Sequence, residues 1–323
     1  MKRGEFRGFA GRYPFGFPFA TCAIPMRIRS PEILLWLLAI FGGGLLLFAL
    51  SGRGGAEERI ADPSARHDPL RIRVSDEGDP GEAAYRRYCA GCHGVKGDGQ
   101  GPAAGFLFPK PRDFTRALFK FGSTSAGSLP LDEDLLRTIN RGLHGTAMPG
   151  WSLLPPSEQV ALVRTIKGFS ENWRDSAPPA PIPFYQNPFP MDDPAEVARA
   201  VTLGEKVYHV TATCWSCHPA YVSEERLKQM LVEGGKPPNA RPDLERTLAK
   251  PDQWGQEIPP ADFPRVKLKS VDNLQDLYRV IMAGVGGTAM PSWELALKPE
   301  EIWALTLYVD SIRKGGSTHP GRK

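Results

Sequence analysis

Two copies of one cysteine–histidine pattern constrain this 323-residue chain more than any other feature. The copies read Cys89-Ala-Gly-Cys92-His93 and Cys214-Trp-Ser-Cys217-His218, and they use four of the five cysteines. C-x-x-C-H is the pattern at which haem c is attached. The two thiols bond to the vinyl groups at one haem edge, and the adjacent histidine reaches the iron. We therefore predict two covalent haems c, with His93 and His218 as axial ligands of the two irons.

Three other uses of such cysteines are a disulfide, a thioredoxin-like redox pair and half of a zinc site. A single copy of the pattern would leave these alternatives open, because short motifs match loosely. The second copy, without further cysteine pairs to complete a zinc tetrad, disfavours all three.

A longer repeat lies C-terminal to each cysteine motif. It reads Gly145-Thr-Ala-Met148-Pro149-Gly-Trp151 in the first copy and Gly287-Thr-Ala-Met290-Pro291-Ser-Trp293 in the second. The thioether of methionine is a soft iron ligand, and a methionine opposite histidine raises the haem potential. Proline pushes the residue before it toward extended backbone, and glycine permits a turn. We predict Met148 and Met290 as the sixth ligands; the alternative is a pair of buried core methionines.

Other candidates for the sixth position lack a counterpart in the other copy. Met230 and Met282 occur in the second copy alone, and His144 corresponds to a glycine. His209 lies five residues before Cys214, and we expect it to be structural.

These motifs resemble tandem class I cytochrome c domains over roughly residues 80–170 and 196–314. In that family a first helix carries C-x-x-C-H near its end, packs across a C-terminal helix, and a loop between them supplies methionine. Gly81 and Gly204, each four residues before a tyrosine, match the small residue at that crossing. The resemblance implies closing helices over 157–169 and 299–312, and an all-α fold with long loops. Tyr308 stands where the family usually places an aromatic facing the first helix, whereas the first copy has Thr165 there.

A second short pattern also repeats, as Pro111-Arg-Asp-Phe114 and Pro260-Ala-Asp-Phe263. We expect both to form loops that line a haem edge. Arg112 is expected to be exposed, with an ion pair to a haem propionate as the alternative. The second copy has 17 more residues between its histidine and methionine, including 234–242. These residues fit either a docking surface or a plain loop.

The N-terminal residues predict a membrane anchor. Residues 33–50 contain no charge, and an 18-residue apolar stretch lies just inside the length that spans a bilayer. The first 30 residues carry a surplus of five positive charges, so the rest of a chain of net charge +4 carries −1. Basic flanks stay in the cytoplasm, which places the following residues on the outer side. Cleavage after Ser51 as a signal peptide is the alternative.

The predicted organisation follows from these features. It comprises a basic cytoplasmic segment (1–32), a transmembrane anchor or signal helix (33–50), a stalk (51–79), cytochrome c domain 1 (80–171), a proline-rich linker (172–195), cytochrome c domain 2 (196–314) and a tail (315–323).

The function predicted from the sequence is electron transfer without catalysis. Two His/Met-ligated irons leave no open position for a substrate, and a cofactor carries the chemistry in such proteins. Expected partners are a quinol-oxidising complex as donor and a terminal oxidase or periplasmic reductase as acceptor, at a bacterial cytoplasmic membrane. Nucleic acid is excluded by the location of the basic residues. The alternative is an enzyme resembling dihaem cytochrome c peroxidase, which needs one iron with a displaceable ligand.

Overall fold

The computed structural model describes residues 78–177 and 179–315. The predicted segments 1–32 and 33–50, and nearly all of the predicted stalk, lie outside the described residues. Within the described ranges, no helix has both the length and the apolar character needed to cross a membrane. We refer to residues 78–177 as the N-terminal half and 179–315 as the C-terminal half.

Helices make up most of the regular structure. The N-terminal half contains α1 (Pro80–Ala84), a π-helical turn (Tyr85–Cys89), α2 (Ala90–His93), a 3₁₀ turn (Ala104–Phe106), α3 (Asp132–Arg141), α4 (Pro156–Gly168) and α5 (Asn172–Asp175). The C-terminal half contains α6 (Pro194–Lys206), a π-helical turn (Val207–Thr211), a 3₁₀ turn (Cys214–Ser216), α7 (Glu224–Glu233), α8 (Leu274–Ala283) and α9 (Pro299–Arg313). One antiparallel hairpin, β1 (Lys250–Pro251) with β2 (Glu257–Ile258), departs from the all-α expectation. The arrangement is helix-rich with little sheet, as expected for a cytochrome c fold.

Each half is built on one crossing of a first helix over a closing helix. A Cβ on Gly81 would collide with the backbone of Ala161, and one on Gly204 would collide with that of Ala304. Glycine at these positions lets the two helix backbones approach more closely than any side chain allows. The predicted closing helices, 157–169 and 299–312, agree with α4 and α9 to within one residue.

The aromatic partner of the first helix differs between the halves. In the C-terminal half, Tyr308 packs edge-on to Tyr208 with ring centroids 5.5 Å apart, as the resemblance implied. In the N-terminal half, Thr165 donates a hydrogen bond to its own helix at Ala161 O. Phe169, one turn later, packs on Tyr85 at 4.9 Å instead. The missing aromatic is thus replaced from a neighbouring position.

The buried apolar residues form two separate clusters. The smaller lies in the N-terminal half around Tyr85 and Leu162, and the larger lies in the C-terminal half around Tyr208 and Trp303. The proline-rich segment before α6 adds to the larger cluster, because Phe189 is only 2% exposed. Each half therefore has its own core, which is what positions its cysteine motif.

Candidate haem sites

Both cysteine motifs lie at the end of the first helix of their half. Cys89 ends a π-helical turn and α2 follows it, whereas Cys214 begins a 3₁₀ turn after the second π-helical turn. All four cysteines are free thiols and half-buried, so neither pair forms a disulfide. Burial raises the pKa of Cys89 to about 11 and that of Cys214 to about 12. The thiols of Cys89 and Cys214 are therefore protonated at neutral pH, so neither is poised as the reactive member of a redox pair.

His93 is held by the loop that contains Arg112 and Phe114. Its Nδ1 lies 2.9 Å from Arg112 O, and its ring stacks on Phe114 with centroids 4.5 Å apart. A carbonyl can only accept, so Nδ1 carries the ring proton and Nε2 keeps its lone pair. Burial, the largest influence, lowers the pKa of His93 and favours the neutral ring. A neutral imidazole with Nδ1 anchored to the backbone is the form that binds a metal.

His218 repeats this arrangement. Nδ1 lies 2.9 Å from Ala261 O, and the ring stacks on Phe263 at 4.8 Å. Burial again lowers the pKa of the histidine. The two P-x-D-F loops thus hold the candidate iron ligands through the carbonyl of their second residue and the ring of their fourth. The sequence indicated these loops through their repetition, but it did not predict their contacts with the histidines; that they line a haem edge stays a prediction.

A tyrosine of each first helix fixes the backbone just after the histidine. Tyr85 donates its hydroxyl to Gly94 O at 2.8 Å, and Tyr208 donates to Pro219 O at 2.7 Å. Both tyrosines are buried. This pair of contacts was not predicted, although the shared Gly-x-x-x-Tyr spacing was the signal that could have found it.

The predicted methionine ligands lie on loops with the same hydrogen bonds. Thr146 Oγ1 accepts from Met148 N at 3.1 Å, and Thr288 Oγ1 accepts from Met290 N at 3.2 Å. Each threonine hydroxyl in turn donates to the carbonyl three residues before it, at 2.8 and 2.7 Å. Both methionine side chains are half-buried, so part of each thioether remains accessible. Trp151, three residues after Met148, packs on Tyr88 beside the first cysteine motif at 5.1 Å.

The competing residues are occupied elsewhere. Met230 and Met282 are 5% and 2% exposed within helices α7 and α8. His209 is fully buried, and its two nitrogens lie 2.8 Å from Glu205 O and 2.6 Å from Ala220 O. His209 therefore has a structural role, as expected from its position.

Arg112 is not the exposed arginine that we expected. Its guanidinium lies 3.6 Å from the centroid of the Trp254 indole, which belongs to the C-terminal half. Burial lowers the pKa of Arg112 to about 10. The sequence could not reveal this contact, because the two residues are far apart in the chain and meet only through packing of the halves.

The residues present fit a haem carried at each motif. Each half offers two free thiols and a neutral imidazole with an accessible lone pair, the donor set of covalent haem c. The indole N–H groups of Trp173 and Trp254 are buried without an acceptor among the described residues. Such donors suit a cofactor that carries carboxylates. Within residues 78–177 and 179–315, no three His, Cys, Asp or Glu side chains gather as a metal cluster.

Comparison with known proteins agrees with this donor set. The model of the family described as cytochrome c oxidase, cbb3-type, subunit III matches residues 76–164 and 199–309. A solved chain of the Kuenenia stuttgartiensis reducing HAO-like protein complex Kustc0457/Kustc0458 is 33% identical in sequence, with a TM-score of 0.58. The match covers 75% of this chain and 99% of that one. No curated protein matches the chain.

Proposed function

The chain belongs to the family of cytochrome c oxidase, cbb3-type, subunit III, and from this membership we propose that it transfers electrons through two covalent haems c. A haem supplies an iron that alternates between the ferrous and ferric states. The polypeptide sets how strongly each state is favoured and which partner can approach. Cys89 and Cys92 bond one haem, and Cys214 and Cys217 bond the other.

The observation that carries this proposal is the similarity of the two candidate sites. Each histidine has Nδ1 on a loop carbonyl at 2.9 Å and a phenylalanine stacked on its ring. Both methionine loops are closed by the same threonine hydrogen bonds. An enzyme that reduces peroxide needs one iron with a displaceable ligand, so it would need two unlike sites. Two similar His/Met sites favour electron transfer.

The side chains around each site have separate tasks. The carbonyls of Arg112 and Ala261 fix the tautomer and orientation of the histidines, which raises their basicity toward iron. The threonines hold the loops of Met148 and Met290, whose thioethers would raise the potential if they bound the irons.

The cellular setting completes the proposal. Residues 33–50 anchor the chain in the cytoplasmic membrane, and the two halves lie on its outer side. The donor is a quinol-oxidising complex, and the acceptor is a terminal oxidase or a periplasmic reductase. The family description names an oxidase, and the similar solved chain is part of a multi-protein complex. Both support a role within, or docked to, a larger oxidoreductase.

The test combines mass spectrometry with absorption spectra of the full chain, produced with haem-attachment machinery and purified in detergent. Mass spectrometry should give a mass increase of two haems. Both haems should show the weak methionine–iron absorption band when oxidised, and neither should bind carbon monoxide when reduced. Met148→Ala should remove the band from one haem and Met290→Ala from the other.

Met230→Ala is the matched control, because this buried methionine lies in α7 and should leave both bands intact. Carbon monoxide binding by one wild-type haem, or a high-spin ferric spectrum, would contradict the proposal and make peroxide turnover the next assay.

A further inference from the structure

The segment between His218 and Met290 carries the hairpin β1–β2, whose turn reaches the N-terminal half. Asp252 Oδ1 accepts from the backbone N–H groups of Trp254 and Gln256, both at 3.0 Å, which closes the turn. Asp252 Oδ2 accepts from Lys120 Nζ of the N-terminal half at 3.0 Å. The carboxylate side chain is 2% exposed, so water screens this ion pair weakly. The turn is thus fixed to the other half of the molecule.

One side of Trp254 faces the loop that holds His93. The Arg112 guanidinium stacks on the indole at 3.6 Å, with Arg116 and Lys120 each 5.6 Å from the same ring. Tryptophan is the side chain whose face attracts cations most strongly. The backbone carbonyl of Arg112 is the acceptor for His93 Nδ1. A single residue therefore connects Trp254 with the first candidate iron ligand.

The other contact of Trp254 is with the loop that carries Met290. A Cβ on Gly287 would lie 2.5 Å from two atoms of the indole ring, so the ring rests directly on that glycine. The neighbouring Gln253 N donates to Gly287 O at 2.9 Å, and Gly286 N donates to Lys120 O at 2.9 Å. The turn thus packs on this loop and binds it through the backbone.

We infer that Trp254 is a positioning residue that couples the two haem sites, holding the His93 loop through Arg112 and the Met290 loop through Gly287. The inference rests on the proposed function, because it presupposes a haem at each motif. Trp254 acts on both sites because its ring lies between a side chain of one half and a backbone of the other.

Loss of the indole should lower both midpoint potentials. A positive charge shielded from water stabilises the reduced form, so the Arg112 guanidinium raises the potential of the first haem. Without the indole, water would hydrate the guanidinium and screen its charge. Without the ring, the Met290 loop would loosen, and a weaker methionine bond lowers the potential of the second haem. The buried indole N–H has no acceptor among the described residues, and a haem carboxylate would be a suitable acceptor for it.

The experiment is a potentiometric titration of the full-length protein with both haems attached, with each midpoint assigned through Met148→Ala and Met290→Ala. Trp254→Ala should shift each haem about tenfold toward its ferric form, which is ~59 mV for one electron. Trp254→Phe, which keeps an aromatic face for Arg112 and a ring against Gly287, should restore most of both shifts. Lys250→Ala is the control, because this exposed residue of the same hairpin should change neither midpoint.

A double-mutant cycle separates the two arms of the coupling. Arg112→Gln keeps the backbone carbonyl and should lower the first midpoint alone. The double variant with Trp254→Ala should have a second midpoint as low as that of Trp254→Ala alone. Its first midpoint should be almost the same as that of Arg112→Gln alone. If Trp254→Ala does not accumulate with both haems, Trp254→Leu, which keeps apolar volume without an aromatic face, takes its place.

A Trp254→Ala protein that keeps two closed haems but shows one shifted midpoint or none would overturn the coupling while leaving the proposed function standing. A wild-type protein with one haem, or with a haem that binds carbon monoxide, would overturn the proposed function instead.

Discussion

Glycine occurs where each methionine loop turns, and the two equivalent glycines are not equally replaceable. Gly145 has a φ of 66° and Gly287 a φ of 70°, angles that side chains take only with strain. A Cβ on Gly145 would meet nothing within 4 Å, whereas one on Gly287 would overlap the Trp254 ring. Backbone strain is common to both positions. The difference between the stability losses that alanine causes at Gly145 and at Gly287 therefore measures the packing of Trp254.

We expect Gly145→Ala to lower the free energy of unfolding by ~1–2 kcal/mol, the cost of a left-handed residue with a Cβ. Gly287→Ala should cost a further ~1–3 kcal/mol, because the methyl group overpacks against the indole. Denaturant unfolding of the full chain measures both values. Gly287→Ala in a Trp254→Ala background should return to the cost of Gly145→Ala; equal costs in the wild-type background would contradict the contact.

At the scale of elements, the helix crossings determine how closely each cysteine motif is held. A Cβ on Gly204 of α6 would collide with the Ala304 carbonyl and with Tyr308 of α9. Gly204→Ala should therefore lower the free energy of unfolding by ~1–3 kcal/mol, although alanine is the better helix former. The matched control is Gly168→Ala at the end of α4, where a Cβ meets nothing within 4 Å. Gly168→Ala should raise the free energy of unfolding by about 0.5–1 kcal/mol.

Thermal or denaturant unfolding compares the two variants. A Gly204→Ala protein as stable as the wild type would mean that α6 and α9 can separate at no cost.

The sequence predicted the elements that depend on local pattern and repetition. The resemblance to class I cytochrome c domains implied the closing helices α4 and α9 and the helices that carry the cysteine motifs, and the repeated methionine pattern predicted the methionine loops. The sequence did not predict the two π-helical turns, Tyr85–Cys89 and Val207–Thr211. It also failed for Arg112, because exposure depends on which residue lies opposite, and Trp254 belongs to the other half. Phe169 replaced the expected aromatic for the same reason: packing accepts a ring from a neighbouring turn.

At the scale of the whole molecule, ion pairs join the two halves. Arg141 Nη1 lies 2.7 Å from Asp276 Oδ2, and His144 Nε2 lies 2.6 Å from Asp272 Oδ1. Arg141 and Asp272 are 44% and 39% exposed at their side chains, whereas Lys120 and Asp252 are 16% and 2% exposed. Because exposed ion pairs contribute little, the buried pair should dominate the polar attachment of one half to the other.

Asp252→Asn should therefore destabilise the protein at neutral pH by about 1.5–3 kcal/mol, the range for hydrogen bonds to charged groups. The amide oxygen can still close the turn, but it bears no charge for Lys120. Asp132→Asn is the control, because its pair with Lys167 lies within the N-terminal half and is largely exposed. It should cost less than about 1 kcal/mol.

The stability difference between wild type and Asp252→Asn should depend on pH, because its source is the charge of the Asp252 carboxylate. Burial alone would raise the pKa of Asp252, but hydrogen bonds from Gln256 N, Lys120 and Trp254 N outweigh it and hold the pKa below its usual value. A carboxylate whose pKa is lower in the folded state stabilises that state. The stabilisation is complete above the unfolded-state pKa of ~3.9 and is lost as the pH falls through the folded-state pKa. The melting temperatures of wild type and Asp252→Asn should thus differ by a constant amount from pH 8 to about pH 5 and converge below about pH 4. If the two melting temperatures still differ in acid, the destabilisation by Asp252→Asn comes from the shape of the amide rather than from loss of the charge that pairs with Lys120.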